Sequence, residues 1–321
     1  MISIEFQVLA ALVLDALIGD PRSWPHPVRL IGWLAVRLEP ITRKSFVNAR
    51  IAGLLTALAV IAVTGILTYC VYQIGLIINP WFGALVSILI IYTGIAAHDL
   101  GKHANDVKLA LEQGNLLLAR KRVGMICGRD TDQLDEPAII RATVESVSEN
   151  LVDGVTAPLF YAMLAGPIGL MIYKAISTLD STFGYRNERY LKFGWASASL
   201  DDVAAFPPSR ITALLIPCAA FITGMRSYES LRALRSDRLK HSSPNSGHSE
   251  SAFSGALGLM LGGPSFYDGV LHNKPFIGRA IEQPSSGHIS ASVRLMRVTA
   301  LISLIAFALI LHLVRIVFPC L

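Results

Sequence analysis

The chain has 321 residues, 53% of them hydrophobic and only 16% charged, and its mean hydropathy of +0.52 lies well to the apolar side of soluble domains. This composition excludes an ordinary soluble enzyme, and the absence of roughly ten-residue alternating segments excludes a closed β-barrel. The net charge of +5 arises from 28 Lys and Arg set against 23 Asp and Glu; because the basic residues are scattered between apolar runs instead of gathered into a stripe, they report membrane topology and no nucleic-acid partner.

The expected fold is all-α: a polytopic helical membrane protein with one membrane-embedded domain over residues 1–321, a soluble helical insertion at 98–150, and broken or re-entrant helices. Met1 to Ile18 has no basic leader and carries Glu5 and Asp15 within its apolar stretch, which predicts a retained, short or partly inserted helix. From Ile51 to Ile78, and again from Trp81 to Ala97, no charged side chain occurs. At 1.5 Å per residue these runs reach across a bilayer core of about 30 Å and predict a transmembrane hairpin turning at Asn79-Pro80. Gly19 to Arg50 carries six Lys or Arg and His98 to Asn150 carries seven, so both flanks are expected in the cytoplasm.

Within the second flank, Val107, Leu111 and Leu118 recur at near-helical spacing, and Asp135 before Glu136-Pro137 predicts the N-cap of a further helix. The later apolar runs are Gly154 to Tyr173, Ile211 to Met225, Ser251 to Tyr267 and Val298 to Val314. The last, flanked by Arg297 and Arg315, predicts a plain span; proline or glycine marks the others as interrupted. Cys70, Cys127, Cys218 and Cys320 lack paired spacing and predict neither a disulfide framework nor a zinc site.

Four polar clusters could carry chemistry. Glu145, Glu149 and Asp153 fall at i, i+4 and i+8 beside Asn150, an arrangement of hard oxygen donors that suits Mg²⁺ and equally suits a solvated face partly neutralised by Arg141. Asp180, then Tyr185 to Tyr190, then Asp201-Asp202 form a second cluster, in which Arg186 and Arg189 offer forked donors for phosphate or anchors for lipid headgroups. Asp20-Pro21 and Trp24-Pro25-His26-Pro27 form a proline-stiffened third. Ser243 to Glu250, ahead of Gly255, Gly258, Gly262 and Gly263, is the fourth. No phosphate-binding P-loop, dinucleotide fingerprint, His-Glu-x-x-His or Gly-x-Ser-x-Gly occurs.

Taken together, these stretches resemble the CobD/CbiB family of cobalamin biosynthesis, the adenosylcobinamide-phosphate synthases. The resemblance is carried by Glu145-Ser146-Val147-Ser148-Glu149-Asn150 with Asp153-Gly154 and Ala157-Pro158-Leu159-Phe160, and by Gly184-Tyr185-Arg186-Asn187-Glu188-Arg189-Tyr190 with Leu200-Asp201-Asp202-Val203. Gly19-Asp20-Pro21, His26-Pro27-Val28, Gly128-Arg129-Asp130-Thr131, Ser243-Pro244-Asn245 and Leu261-Gly262-Gly263 match in the same order. The chain departs at Ser246, His248 and Ser249, where the family pattern has Ala, an aromatic residue and Pro; Asn245, Gly247 and Glu250 still align.

The resemblance implies an ATP-dependent ligase that joins aminopropanol, free or as its phosphate, to the f-propionate carboxylate of adenosylcobyric acid. ATP and Mg²⁺ are the implied cofactors, with no tightly bound organic group. The corrinoid and the amino alcohol are substrates, and the lipid bilayer and other cobalamin-pathway enzymes are the implied partners. Magnesium would be held by Glu145, Glu149 and Asp153, or by Asp201 with Asp202. Arg186 and Arg189 would contact phosphate, with Asp180 taking the amine's proton and Asp202 also catalytic. Asp20, His26, Asn150, Tyr185, Asn187, Asn245 and Glu250 would bind substrate. Because ATP is cytoplasmic, these clusters are expected in one compartment of a cell (inner) membrane protein and at one pocket. The rival reading is a transporter or binding protein for a corrinoid or another anion.

Overall fold

In the computed structural model, which describes residues 2–20, 26–185, 187–267 and 269–317, helices dominate and five helical stretches, two of them made of consecutive helical segments, are long and apolar enough to cross a membrane: Ala49–Ile78, Pro80–Glu112, Glu136–Phe183, Trp195–Ile222 and Ser286–Val317. The protein is an all-α, multi-pass membrane protein with one small two-stranded hairpin. The chain divides into two compact units, Met1–Ala96 with Ala157–Ala205 and Ala306–Leu321, and Ala97–Thr156 with Phe206–Ile305.

In the first unit, helices α1 (Ile4–Ile18), α2 (Pro27–Ser45), α3 (Ala49–Ile78), α4 (Pro80–Tyr92) and α8 (Ala157–Phe183) pack on one another. The predicted hairpin is α3 and α4. Asn79 ends α3 and starts α4, its side chain accepting the Trp81 N–H at 2.8 Å, while Pro80 occupies a first-turn position that needs no donor. The inward face of α3 is built from small residues, Ala52, Gly53, Thr56, Ala57, Thr64 and Gly75, and its large side chains, Leu54, Leu58, Ile66 and Leu67, point outward. That inversion is expected where lipid solvates leucine as well as protein does and close backbone approach drives packing. At Gly53 a Cβ would lie 1.9 Å from the Phe193 carbonyl oxygen, so only glycine fits.

The expected interruption in the Gly154 to Tyr173 run is real. Ala165 (φ −141°) and Gly166 (φ 63°) leave helical geometry before Pro167, because proline supplies no N–H and bars the preceding residue from the α-region. Upstream, Val152–Thr156 form a π-helical turn in the second unit, whose Thr156 hydroxyl donates to the Leu151 carbonyl and accepts from Thr212.

The second unit contains α5 (Ala97–Glu112), α6 (Leu116–Val123), α7 (Glu136–Leu151), α10 (Ser227–Asp237), α11 (Ser246–Leu257) and the hairpin β1 (Leu261–Tyr267) and β2 (Val270–Ile277). Unit boundaries fall within α9 (Trp195–Ile222) and α12 (Ser286–Val317). Asp135 caps α7, accepting the Ala138 N–H at 2.8 Å, as its spacing predicts. The Ser251 to Tyr267 run is not a span: it is the buried α11, stopped by Gly258 in the left-handed region (φ 67°), followed by strand β1. Gly255 brings α11 against α10 so closely that a Cβ would meet the Glu229 carbonyl oxygen at 2.2 Å.

Candidate functional site

The second unit holds a small polar cleft of about 80 Å³ walled by the 126–129 segment, α7, α11 and the β-hairpin. Glu145 ties three of these walls together. One of its carboxylate oxygens accepts the guanidinium of Arg129, which also donates to the Ser265 hydroxyl at 3.3 Å; the other accepts the Gly262 N–H at 2.7 Å. Gly262 has φ 77° and a Cβ there would sit 2.3 Å from the Pro275 carbonyl oxygen, so glycine is required where the strand meets the carboxylate. Asp130 fastens the hairpin's far end, donating its N–H to the Phe266 carbonyl at 2.9 Å and accepting the Gly269 N–H at 2.8 Å.

Across the cleft, α11 presents Glu250, which is only 5% exposed. Burial first, then the nearby carboxylates of Glu149 and Glu145, push its carboxyl well above the usual range and favour the protonated form. His241 lies with its Nε2 3.7 Å from Glu250, and its Nδ1 accepts the Ser243 N–H at 2.9 Å. Burial holds that imidazole below its ordinary value, so the ring favours neutrality. Burial also works against the charge of Arg129, but the Glu145 carboxylate outweighs it and keeps the guanidinium charged. Glu149 is the solvent-exposed carboxylate of the cleft and accepts the Ser246 hydroxyl at 3.1 Å.

Of the other expected residues in this unit, Asn150 bonds its own helix, its amide donating to the Ser146 carbonyl. Asp153 stands in the π-helical turn, off the cleft lining. Asn245 is buried just before α11, its side-chain oxygen accepting Arg210 and the Ser209 hydroxyl. Among the described residues no three His, Cys, Asp or Glu side chains are grouped to hold a metal ion.

The other residues expected at the site belong to the first unit. Arg189 is committed to the buried Glu39 of α2, with Nη2 at 3.0 and 3.1 Å from its two oxygens and Nε at 3.2 Å. Arg43 adds a bond to Glu39 at 2.9 Å, another to the Arg189 carbonyl at 2.9 Å, and a cation–π contact over Phe193 at 4.2 Å. This locks the 187–194 loop, in which Asn187 accepts the Tyr190 N–H at 3.0 Å. Tyr185 is exposed, Asp180 lies in the last turns of α8, and Asp201 and Asp202 lie near the start of α9. His26 caps α2 through the Val28 N–H and pairs with Asp20 at 3.4 Å. Arg186, with Pro21, Trp24, Pro25 and Cys320, lies outside the described residues.

Residues 8–296 match the family model described as CobD/Cbib protein. The chain belongs to the CobD/CbiB family. It is 42% identical over 303 residues to the cobalamin biosynthesis protein CobD of Leptospira interrogans, covering 94% of this chain and 96% of the relative. It is 43% identical over 300 residues to CobD of Citrobacter koseri and 42% identical over 300 residues to the cobalamin biosynthesis protein CbiB of Salmonella typhi, with 92% of this chain and 94% of each relative covered. No solved structure matches the chain.

Within this CobD/CbiB chain the cleft also contains residues the sequence reading passed over: His241, Tyr267 and Lys274. In the sequence, Gly262-Gly263-Pro264 at the end of an apolar run was the one local mark of the hairpin that carries the last two. Glu39 had no signal beyond being the one acidic residue of an otherwise basic amphipathic helix.

Proposed function

We propose that this chain is an ATP-dependent, amide-forming ligase of cobalamin biosynthesis, joining aminopropanol or its phosphate to the f-propionate carboxylate of adenosylcobyric acid. We place it in the cell inner membrane with the cleft facing the cytoplasm, where the nucleotide is. One observation carries the reading: four family-matching stretches distant in sequence, around Arg129, Glu145 to Glu149, Glu250 and Gly262, line a single polar cleft. Its volume of about 80 Å³ is far below the roughly 300–1,000 Å³ that houses a whole drug-sized ligand, so it suits the reacting ends of the substrates, with their bulk outside.

A carboxylate does not acylate an amine unaided. In the proposed route a carboxylate oxygen attacks the terminal phosphorus of the nucleoside triphosphate, forming an O–P bond as the bond to the bridging oxygen breaks and the diphosphate leaves with its electron pair. The amine nitrogen then attacks the acyl carbon; the C–N bond forms, the C–O bond to phosphate breaks, and the nitrogen's proton departs with the phosphate.

The donor set fits magnesium in one way. Both Glu145 oxygens are engaged and Glu250 favours its neutral form, so Glu149 is the cleft carboxylate that would hold the ion, with waters and nucleotide phosphates completing its shell. The ion, when bound, would supply neutralisation of phosphate charge. Arg129, fixed by Glu145, adds a preorganised positive field at no reorganisation cost. Glu250, held neutral, faces the cleft without adding negative charge that would repel an anionic substrate, and the neighbouring His241 favours its neutral form.

Purified protein in detergent, given ATP, adenosylcobyric acid and either amine, should form the amide with one ADP per product. Uptake of the corrinoid into vesicles with no ATP consumed and no amide formed would overturn the reading in favour of a transporter.

A further inference from the structure

Lys274 stands apart from the other charges of the cleft. Arg129 is neutralised by Glu145, whereas the Lys274 ammonium forms no ion pair among the described residues; it hydrogen-bonds the Tyr267 hydroxyl and lies 4.8 Å from the centre of that ring. Its position is built. The β1–β2 ladder pairs Gly262 with Phe276 and Pro264 with Asn273, so Lys274 and Pro275 together face the lone Gly263 in a β-bulge. Bulges re-aim side chains and recur beside active sites. Here the bulge carries Lys274 into the cleft lining alongside Glu149 and Glu250. An ammonium with no ion-pair partner among the described residues, placed in a polar cavity with its direction set by a phenol and a ring face, is a site for an anion.

We propose that Lys274 contacts the phosphoryl group during its transfer, holding the non-bridging oxygens of the nucleotide's terminal phosphate and then of the acyl phosphate. This rests on the ligase reading above. Lys274 forms and breaks no covalent bond; its charge offsets the negative charge that gathers on the phosphoryl oxygens in both steps, a contribution realised in the transition state more than in substrate binding.

Lys274→Met should lower kcat about 100-fold with the KM for the amino alcohol unchanged, and Lys274→Arg should restore most of that loss. A hairpin merely held in place by Lys274 would instead show a raised KM and no rescue by arginine. The wild-type protein provides a test independent of any variant's folding. Labelling Lys274 with an amine-reactive reagent, read by mass spectrometry, should slow at least fivefold in inorganic tripolyphosphate. Equal labelling with and without tripolyphosphate, or an active wild type matched within twofold by Lys274→Met, overturns the assignment. A wild type that makes no amide overturns the ligase reading, while the labelling experiment still decides whether Lys274 binds phosphate.

Discussion

The guanidinium of Arg129 closes on the carboxylate of Glu145 with both side chains almost fully buried, and the same carboxylate receives the Gly262 N–H. A pair of this kind contributes little net stability when both partners are present, yet breaking it strands a buried charge. Here it also sets the distance between α7, the 126–129 segment and the hairpin, so stability and cleft geometry depend on one contact.

Glu145→Gln should therefore destabilise the protein by about 3–5 kcal/mol, leaving Arg129 charged and uncompensated. The thermal midpoint in detergent measures this. Arg129→Met combined with Glu145→Leu should cost less than Glu145→Gln alone, and a double variant as unstable as the sum of its singles would contradict the pairing.

Glu39 plays the matching part in the first unit. Glu39→Gln leaves Arg189 and Arg43 without their shared carboxylate, and because Arg189 is largely solvent-exposed the expected loss of stability is small. Limited proteolysis should then cut the 187–194 loop faster than in the wild type. An unchanged cleavage rate would show that the loop is held by other contacts.

His248 gives the fold a pH dependence of definite sign. Burial first, then the charges of Arg210 and Arg238, lower its imidazole to about 4 from an ordinary 6.5. Between those values the unfolded chain binds a proton that the folded chain refuses. This part of the stability is complete above about pH 6.5 and is lost as pH falls towards 4, by up to about 3 kcal/mol. Thermal midpoints measured across that window should fall less steeply in His248→Gln than in the wild type. Parallel curves would remove the assignment.

The membrane-spanning framework was legible because lipid enforces it: uncharged runs such as Ile51 to Ile78, the Asn79-Pro80 turn and the Val298 to Val314 run between Arg297 and Arg315 admit few alternatives. The Asp135 cap was legible for a local reason, since three consecutive residues determine it. The hairpin was not. Its apolar, glycine-bearing strand continues from α11 with no break in hydropathy, and only the left-handed Gly258 separates them. The acidic stripe was legible as a pattern, but helical spacing cannot reveal that Glu145 is already committed to Arg129, that Glu149 stays exposed in the cleft, or that a π-helical turn begins before Asp153. Arg189 invited a role at phosphate because its buried partner, Glu39, lies far away in sequence. Lys274 went unseen because a bulge, invisible in residue order, aims it.

The central chemical claim is that the corrinoid carboxylate is activated by phosphorylation before the amine attacks. Adenosylcobyric acid carrying ¹⁸O in its f-propionate carboxylate, turned over with ATP and the amino alcohol, tests it directly by mass spectrometry of the phosphate released. The account predicts one ¹⁸O atom transferred to each phosphate, in step with amide formation. Amide formed with phosphate free of the label would contradict it.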